Sequence, residues 1–369
     1  MRDGFRVIDA DRHCMDPSAR WEPFLEPRFR GRVVAAGDVQ TVDGVPFSRL
    51  HATAPDRGFR NWSNAPEYRA AFSSAFRDGF GPVSNLADMD REGVDVAVHF
   101  PSYGLSMVWT DDVDEALGAA VCQAYNSWIA DYCSHAPDRL KAVALAPVYA
   151  PDAAIEEMKR AKVLGLAGVM WRPNPIKGRT LLHPDYEPVY QAAEELGLPI
   201  LIHEGSDTTL NQAGSDRVSA FSRHIACHPM EQMLACLAFC ADGLLERFPA
   251  LRVGFMEAGC GWAPYWLERM DEHWRHFYFG RTRRTPEPPS FYFRRQCFVS
   301  CEAGEELVSS FIEHLGDDSL VTATDYPHPD AVDKFPDRTI GDLSGSGALS
   351  HASKQKVLWD NPARLYGIG

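Results

Sequence analysis

Short apolar runs rich in β-branched residues recur eight times along the chain, and stretches able to form helices separate most of them. They fall at about 5–11 (FRVIDAD), 94–100 (VDVAVHF), 140–147 (LKAVALAP) and 165–171 (GLAGVMW). Four more follow at about 198–203 (LPILIH), 251–257 (LRVGFME), 296–302 (QCFVSCE) and 319–325 (SLVTATD). Apolar residues occupy both faces of these runs, as in strands covered on both sides in a parallel sheet. Helical periodicity marks 112–136, 152–163, 184–196, 229–247, 262–277, 305–315 and 352–366. Eight strands with intervening helices predict an α/β fold, a (β/α)8 TIM barrel. A doubly wound open sheet is the competitor, and its dinucleotide-binding version lacks the G-x-G-x-x-G it would need after the first strand.

Two segments exceed a minimal barrel. Residues 12–93, after the first strand, are rich in Arg, Pro, Phe and Trp, and residues 277–295, after the sixth, are basic, aromatic and Pro-rich. Long loops of this kind often cover active sites or form subunit contacts. No linker divides the chain, so residues 1–369 are expected to form one domain with two insertions. The formal net charge of −14 disfavours binding of the whole surface to nucleic acid or anionic lipid. Nine cysteines without a C-x-x-C argue against a zinc ribbon or disulfide scaffold and fit a reducing compartment. The first residues lack an apolar signal core, and no apolar run is long enough to span a bilayer. A cytoplasmic protein with a small-molecule substrate is therefore expected, and a homodimer stays open.

Barrel enzymes place their chemistry at the C-terminal ends of the strands. The first strand ends in Asp11-Arg12-His13, and residues i and i+2 of a strand share a side. The fifth ends in His203-Glu204, the sixth in Glu257, and the eighth in Asp325-Tyr326-Pro327-His328. One such residue is more often structural than functional. Four strand ends carrying Asp, Glu or His together predict one metal site, because converging acids repel one another without a cation. Two imidazoles with two carboxylates suit zinc, manganese or iron(II). Cys14 is expected to point away from the site, and Cys260 to be a buried small hydrophobe.

The chain resembles the amidohydrolase superfamily, and within it the amidohydrolase-2 branch of metal-dependent decarboxylases, hydrolases and hydratases. The resemblance runs through DADRHCMDPSARWEPFLEPRFRGR, LADMDREGVDVAVHFPS, GLAGVMWRPNP, HPDYEPVYQAAEELGLPILIHEG, LERFPALRVGFMEAGCGWAPYWLERMDEH, TDYPHPD and DNPARLYGIG. It implies a divalent metal at the barrel mouth, held by Asp11, His13, His203 and Asp325. The family's first strand usually carries His-x-His or a carboxylate variant, and here it reads Asp11-x-His13. Asp325 is also implied to handle a proton. Glu257 stands where many members have His, and is either a ligand or a general acid/base.

His224 and His228, in SRHIACHPMEQM just before the helix expected from Pro229, share one face if that stretch is helical. His228 is a candidate acid/base and His224 a candidate substrate contact; the alternative is a helix-start cluster without chemistry. Arg172, in WRPNP, is a candidate clamp for a substrate carboxylate, or a salt bridge within the rim. His328 is expected to orient Asp325. These residues fit decarboxylation of an aromatic or unsaturated acid, the favoured reading, with hydrolysis by metal-activated water as the alternative. A non-catalytic binding role on the same fold is the third class. Trp21, Phe59, Trp62, Phe80, Tyr103 and Tyr292, in the long loops, suggest an apolar or aromatic ligand.

Overall fold

The computed structural model describes residues 1–36, 39–46, 64–107, 109, 111, 113–205, 212–214, 219–277 and 284–369. Each of the eight apolar runs overlaps a strand: β1 (Ile8–Cys14), β5 (Val96–Pro101), β6 (Leu140–Leu145) and β7 (Gly168–Trp171), then β8 (Ile200–Ile202), β9 (Val253–Phe255), β10 (Cys297–Cys301) and β11 (Leu320–Thr322). They pair in parallel in that order. The ring closes between its first and last members. The His13 N–H donates to the Tyr326 carbonyl at 2.6 Å, and the Asp325 N–H to the Asp11 carbonyl at 3.1 Å. Helices cover the outside, so both strand faces are apolar and most strand residues are fully buried. This is the expected (β/α)8 barrel.

The register of β1 on β5 slips between Asp9 and Arg12, the mark of a bulge. Asp11 and His13 then face inward, while Arg12 turns to the helical layer. There it bonds Asn85 at 2.9 Å and Glu92 at 2.7 Å, with its guanidinium 3.6 Å from the centre of the Tyr326 ring. Arg12 thus ties β1 to the helix Pro82–Glu92 without touching the barrel mouth.

Three expectations change. The first insertion contains a small antiparallel sheet, β2 (Val33–Ala36), β3 (Val39–Val42) and β4 (Val45–Pro46). Its signal was Asp43-Gly44, whose φ angles of 50° and 78° make the two-residue turn between β3 and β4. In the second insertion, Pro289–Gln296 is a helix leading directly into β10. Tyr292 and Phe293 are fully buried in it, Phe293 stacking on Phe255 at 6.2 Å, so Tyr292 belongs to the outer helical packing and lines no loop over the mouth. Of the other aromatics, Trp21 is core, Phe80 packs on Phe76 at 5.1 Å, and Phe59 and Trp62 lie outside the described residues.

The third change bears on the site. The helix expected from Pro229 begins at Ala220 and runs to Cys236 with Pro229 inside it. Proline cannot bond the carbonyl four residues back, that of Ile225. The helix nevertheless continues through Pro229 to Cys236. His224 and His228 therefore lie within a helix. No helix among the described residues is long and apolar enough to cross a membrane.

Candidate metal centre

Four side chains from β1, β8 and β11 meet at the barrel mouth. His13 Nε2 lies 3.5 Å from Asp11 Oδ1 and 3.3 Å from Asp325 Oδ1. His203 Nε2 lies 3.6 Å from Asp11 Oδ2 and 3.1 Å from Glu257 Oε2. All four residues are at most 2% exposed. Most of these separations are long for hydrogen bonds. Metal–ligand bonds of about 2.0–2.1 Å in a tetrahedral site put donor atoms about 3.3 Å apart. The cluster thus has the spacing of atoms sharing a cation.

The imidazole tautomers point the same way. A carbonyl only accepts, so His13 Nδ1–H donates to Pro101 O at 3.0 Å, and His203 Nδ1–H to Glu204 O at 2.6 Å. Each ring is left with an Nε2 lone pair aimed into the cluster, the arrangement that outer hydrogen bonds impose on metal-bound histidines. Neither Nε2, nor Asp11 Oδ1, has a hydrogen-bond partner, although all are buried. Buried polar atoms without partners are costly and rare. A divalent cation would satisfy all three, so the donor set fits the metal.

Burial, then the charge of Glu257, raises the Asp11 carboxyl well above its usual range. Burial, then the charges of Asp330 and Glu257, does the same to Asp325. His13 is pushed well below its usual value by burial, then by His328 and His203. By themselves, then, these groups favour neutral forms. A bound cation would reverse that preference for the carboxylates.

Glu257 and Asp325 have φ angles of 49° and 53°, a region costly for non-glycine residues. Each is held there by its own N–H. That of Glu257 donates to Ser300 Oγ at 2.9 Å, and that of Asp325 to the Asp11 carbonyl. Glu257 offers its other oxygen, Oε1, to His228 Nε2 at 3.4 Å. Burial opposes both charges, but their mutual contact prevails: Glu257 is held well below, and His228 well above, the ordinary value. The His224 ring packs on His228 at 4.1 Å, as one helix face requires. His328 Nδ1 sits 2.8 Å from Asp325 Oδ1, its ring is 4.0 Å from that of His13, and its Nε2 is 3.0 Å from Ser102 Oγ. It thus lies beside two of the four central residues, and its donor atom falls within 4.8 Å of those of His13, Glu257 and Asp325.

Arg172 is not placed as a substrate clamp. Its guanidinium is fully buried in an ion pair with Glu204, and also bonds Asn174 Oδ1 at 3.2 Å, Leu105 O at 3.1 Å and Gly205 O at 2.7 Å. All three nitrogens are engaged, so the rim salt bridge replaces the clamp. Arg172→Met should cost about 3–5 kcal/mol in urea unfolding, because Glu204 would stay buried and uncompensated. A loss under 1 kcal/mol would contradict this. Cys14 faces away from the site, with Phe100 O 3.3 Å from its sulfur. Sequence reasoning missed Ser102, Ser300 and Glu302. Glu302 follows β10, the seventh barrel strand, and the strand-end argument applied there would have found it. Burial, then Asp330, lifts its carboxyl to about 8.

The profile of the Amidohydrolase family matches residues 8–368. The 2-amino-3-carboxymuconate-6-semialdehyde decarboxylase of Dictyostelium discoideum is 25% identical over 284 residues, 73% of this chain and 75% of that one. The gamma-resorcylate decarboxylase of Rhizobium radiobacter is 26% identical over 273 residues, 69% and 78% of the two chains. Among solved structures, the 5-carboxyvanillate decarboxylase of Novosphingobium aromaticivorans, complexed with manganese and 4-hydroxy-3-methoxy-5-nitrobenzoic acid, superposes with a TM-score of 0.70. It is 18% identical, over 100% of this chain and 97% of that one, a likeness of fold. The match of the family profile runs from the first residue of β1 to the penultimate residue, across every strand end that feeds the cluster, and the chain belongs to the Amidohydrolase family.

Proposed function

We propose that the chain is a metal-dependent, non-oxidative decarboxylase of a small aromatic or unsaturated carboxylic acid. The observation that carries this is the set of donor atoms on Asp11, His13 and His203, all within 4.8 Å of one another, with Asp325 joined to them 3.3 Å from His13 Nε2 and with both histidine tautomers fixed. Decarboxylase relatives at 25% and 26% identity support the reaction class. We assign the four residues as ligands. The metal is manganese or zinc, with iron(II) as the further candidate, because mixed imidazole and carboxylate donors suit these ions. Manganese is the ion in the carboxyvanillate decarboxylase. When bound, the ion would bind adjacent oxygens of the substrate and withdraw charge as the C–C bond breaks.

The residues of the chain handle the proton. Asp325, at the end of the last barrel strand and 3.3 Å from His13 Nε2, gives a proton to the carbon that bears the departing carboxylate. Its donor atoms lie within 4.8 Å of those of Glu257. The Glu257–His228 pair can then return a proton to Asp325 from the mouth. His328 holds the Asp325 carboxylate in place, and His224 stands at the outer edge as a substrate contact.

The metal-loaded protein, given a panel of hydroxybenzoic and dienoic acids in 18O-labelled water, should release carbon dioxide with no label in the remaining organic product. Label appearing in a new carboxylate would instead identify a hydrolase.

A further inference from the structure

Glu257 faces two clusters. Its Oε2 approaches His203, in the centre described above, and its Oε1 approaches His228 on the other side. On that second side, donor atoms of His224, His228 and Glu257 all lie within 4.8 Å of one another. We propose that these three residues form a second cation site, bridged to the first through the Glu257 carboxylate.

Three independent features support it. First, His228 Nε2 and Glu257 Oε1 are 3.4 Å apart, the separation of about 3.3 Å that tetrahedral ligands of a zinc-sized ion adopt. Second, His228 Nδ1 lies 3.1 Å from the His224 carbonyl, an acceptor, so this nitrogen carries the proton and donates. Its Nε2 is thereby presented as the Nε2 atoms of His13 and His203 are, each with Nδ1–H tied to a backbone carbonyl. Third, the spacing H-x3-H on the helix Ala220–Cys236 puts both imidazoles on one face, with ring centres 4.1 Å apart. That is how two histidines one turn apart reach a single ion.

Two imidazoles and one carboxylate leave room for water as a fourth ligand, a set suited to zinc or cobalt(II). The second ion and a proton compete for the same Nε2 lone pair of His228. An ion lying between His228 Nε2 and Glu257 Oε1, 3.4 Å apart, occupies the contact through which that pair would pass a proton toward Asp325, and the route closes. The second site is therefore a brake on the reaction, and the first centre remains its catalyst.

The test is a titration of the metal-free full chain with cobalt(II), followed by its visible absorption, with metal content measured after gel filtration. Wild type should saturate at about two ions per chain, and His224→Ala and His224→Gln at about one. His203→Ala, which removes a ligand of the first centre, should keep the ion held by the histidine pair. Circular dichroism checks that each variant is folded. Saturation of wild type at one ion, or of both His224 variants at two, would overturn the second site. A chain that binds one ion and still releases carbon dioxide loses only this inference; one that binds two and releases none loses only the decarboxylase reading.

Discussion

Asp325→Asn should lower turnover by about 1,000-fold or more while leaving the circular dichroism spectrum unchanged. Removing a positioned proton donor alone costs about 100- to 10,000-fold, and Asp325 is assigned a ligand role as well. Asparagine keeps the size of the side chain but carries neither the proton nor the negative charge. The backbone of residue 325, at φ 53°, is held by its own N–H on the Asp11 carbonyl, which the substitution leaves intact. The loss should therefore appear in kcat under saturating metal and not in folding. A variant within tenfold of wild type would remove Asp325 from the mechanism.

Removing the metal should have a comparably large effect. Dialysis against a chelator should reduce carbon dioxide release to background, and manganese or zinc should restore it. Stability should follow. An ion present at about 1,000 times its Kd stabilises the native state by about 4 kcal/mol, so the metal-free protein should melt several degrees lower. The physical cause lies in the cluster itself. Without a cation, Asp11 and Asp325 are buried beside Glu257, and their carboxyls are driven toward neutrality. A chelated protein that keeps both its activity and its melting temperature would overturn the metal assignment.

The two expectations that failed at Arg172 and Tyr292 share a cause. Each residue was judged by its position in a segment, Arg172 just after a strand and Tyr292 in an aromatic run. Arg172 is engaged by Glu204, Asn174, Leu105 and Gly205, partners spread over three segments of chain. Tyr292 is buried because the helix carrying it packs against β10 and the helix Trp262–His276. The helix around Pro229 failed differently. Proline is a sound stop signal in isolation, yet here it lies inside the helix Ala220–Cys236.

Local patterns were enough for the barrel strands and for most of the residues at its mouth. Eight apolar runs, each short and filled on both faces, identify strands because burial on both sides leaves no polar face to alternate. The strand-end positions of Asp11, His13, His203, Glu257 and Asp325 follow from the same pattern, as does the shared side of Asp11 and His13. The pairing of His224 with His228 needed only the helical repeat. What no local pattern holds is which side chains meet. Closure of β11 on β1 brings Asp325 to His13, and the order of strands brings Glu257 between His203 and His228. The carbonyl of Pro101 that fixes the His13 imidazole comes from the neighbouring strand end, which the ring places there, whereas that of Glu204, which fixes His203, belongs to the next residue. Sequence determines which residues reach the mouth, because that depends on periodicity. The fold alone determines their distances and the tautomer of His13, because those depend on contacts between residues far apart in the chain.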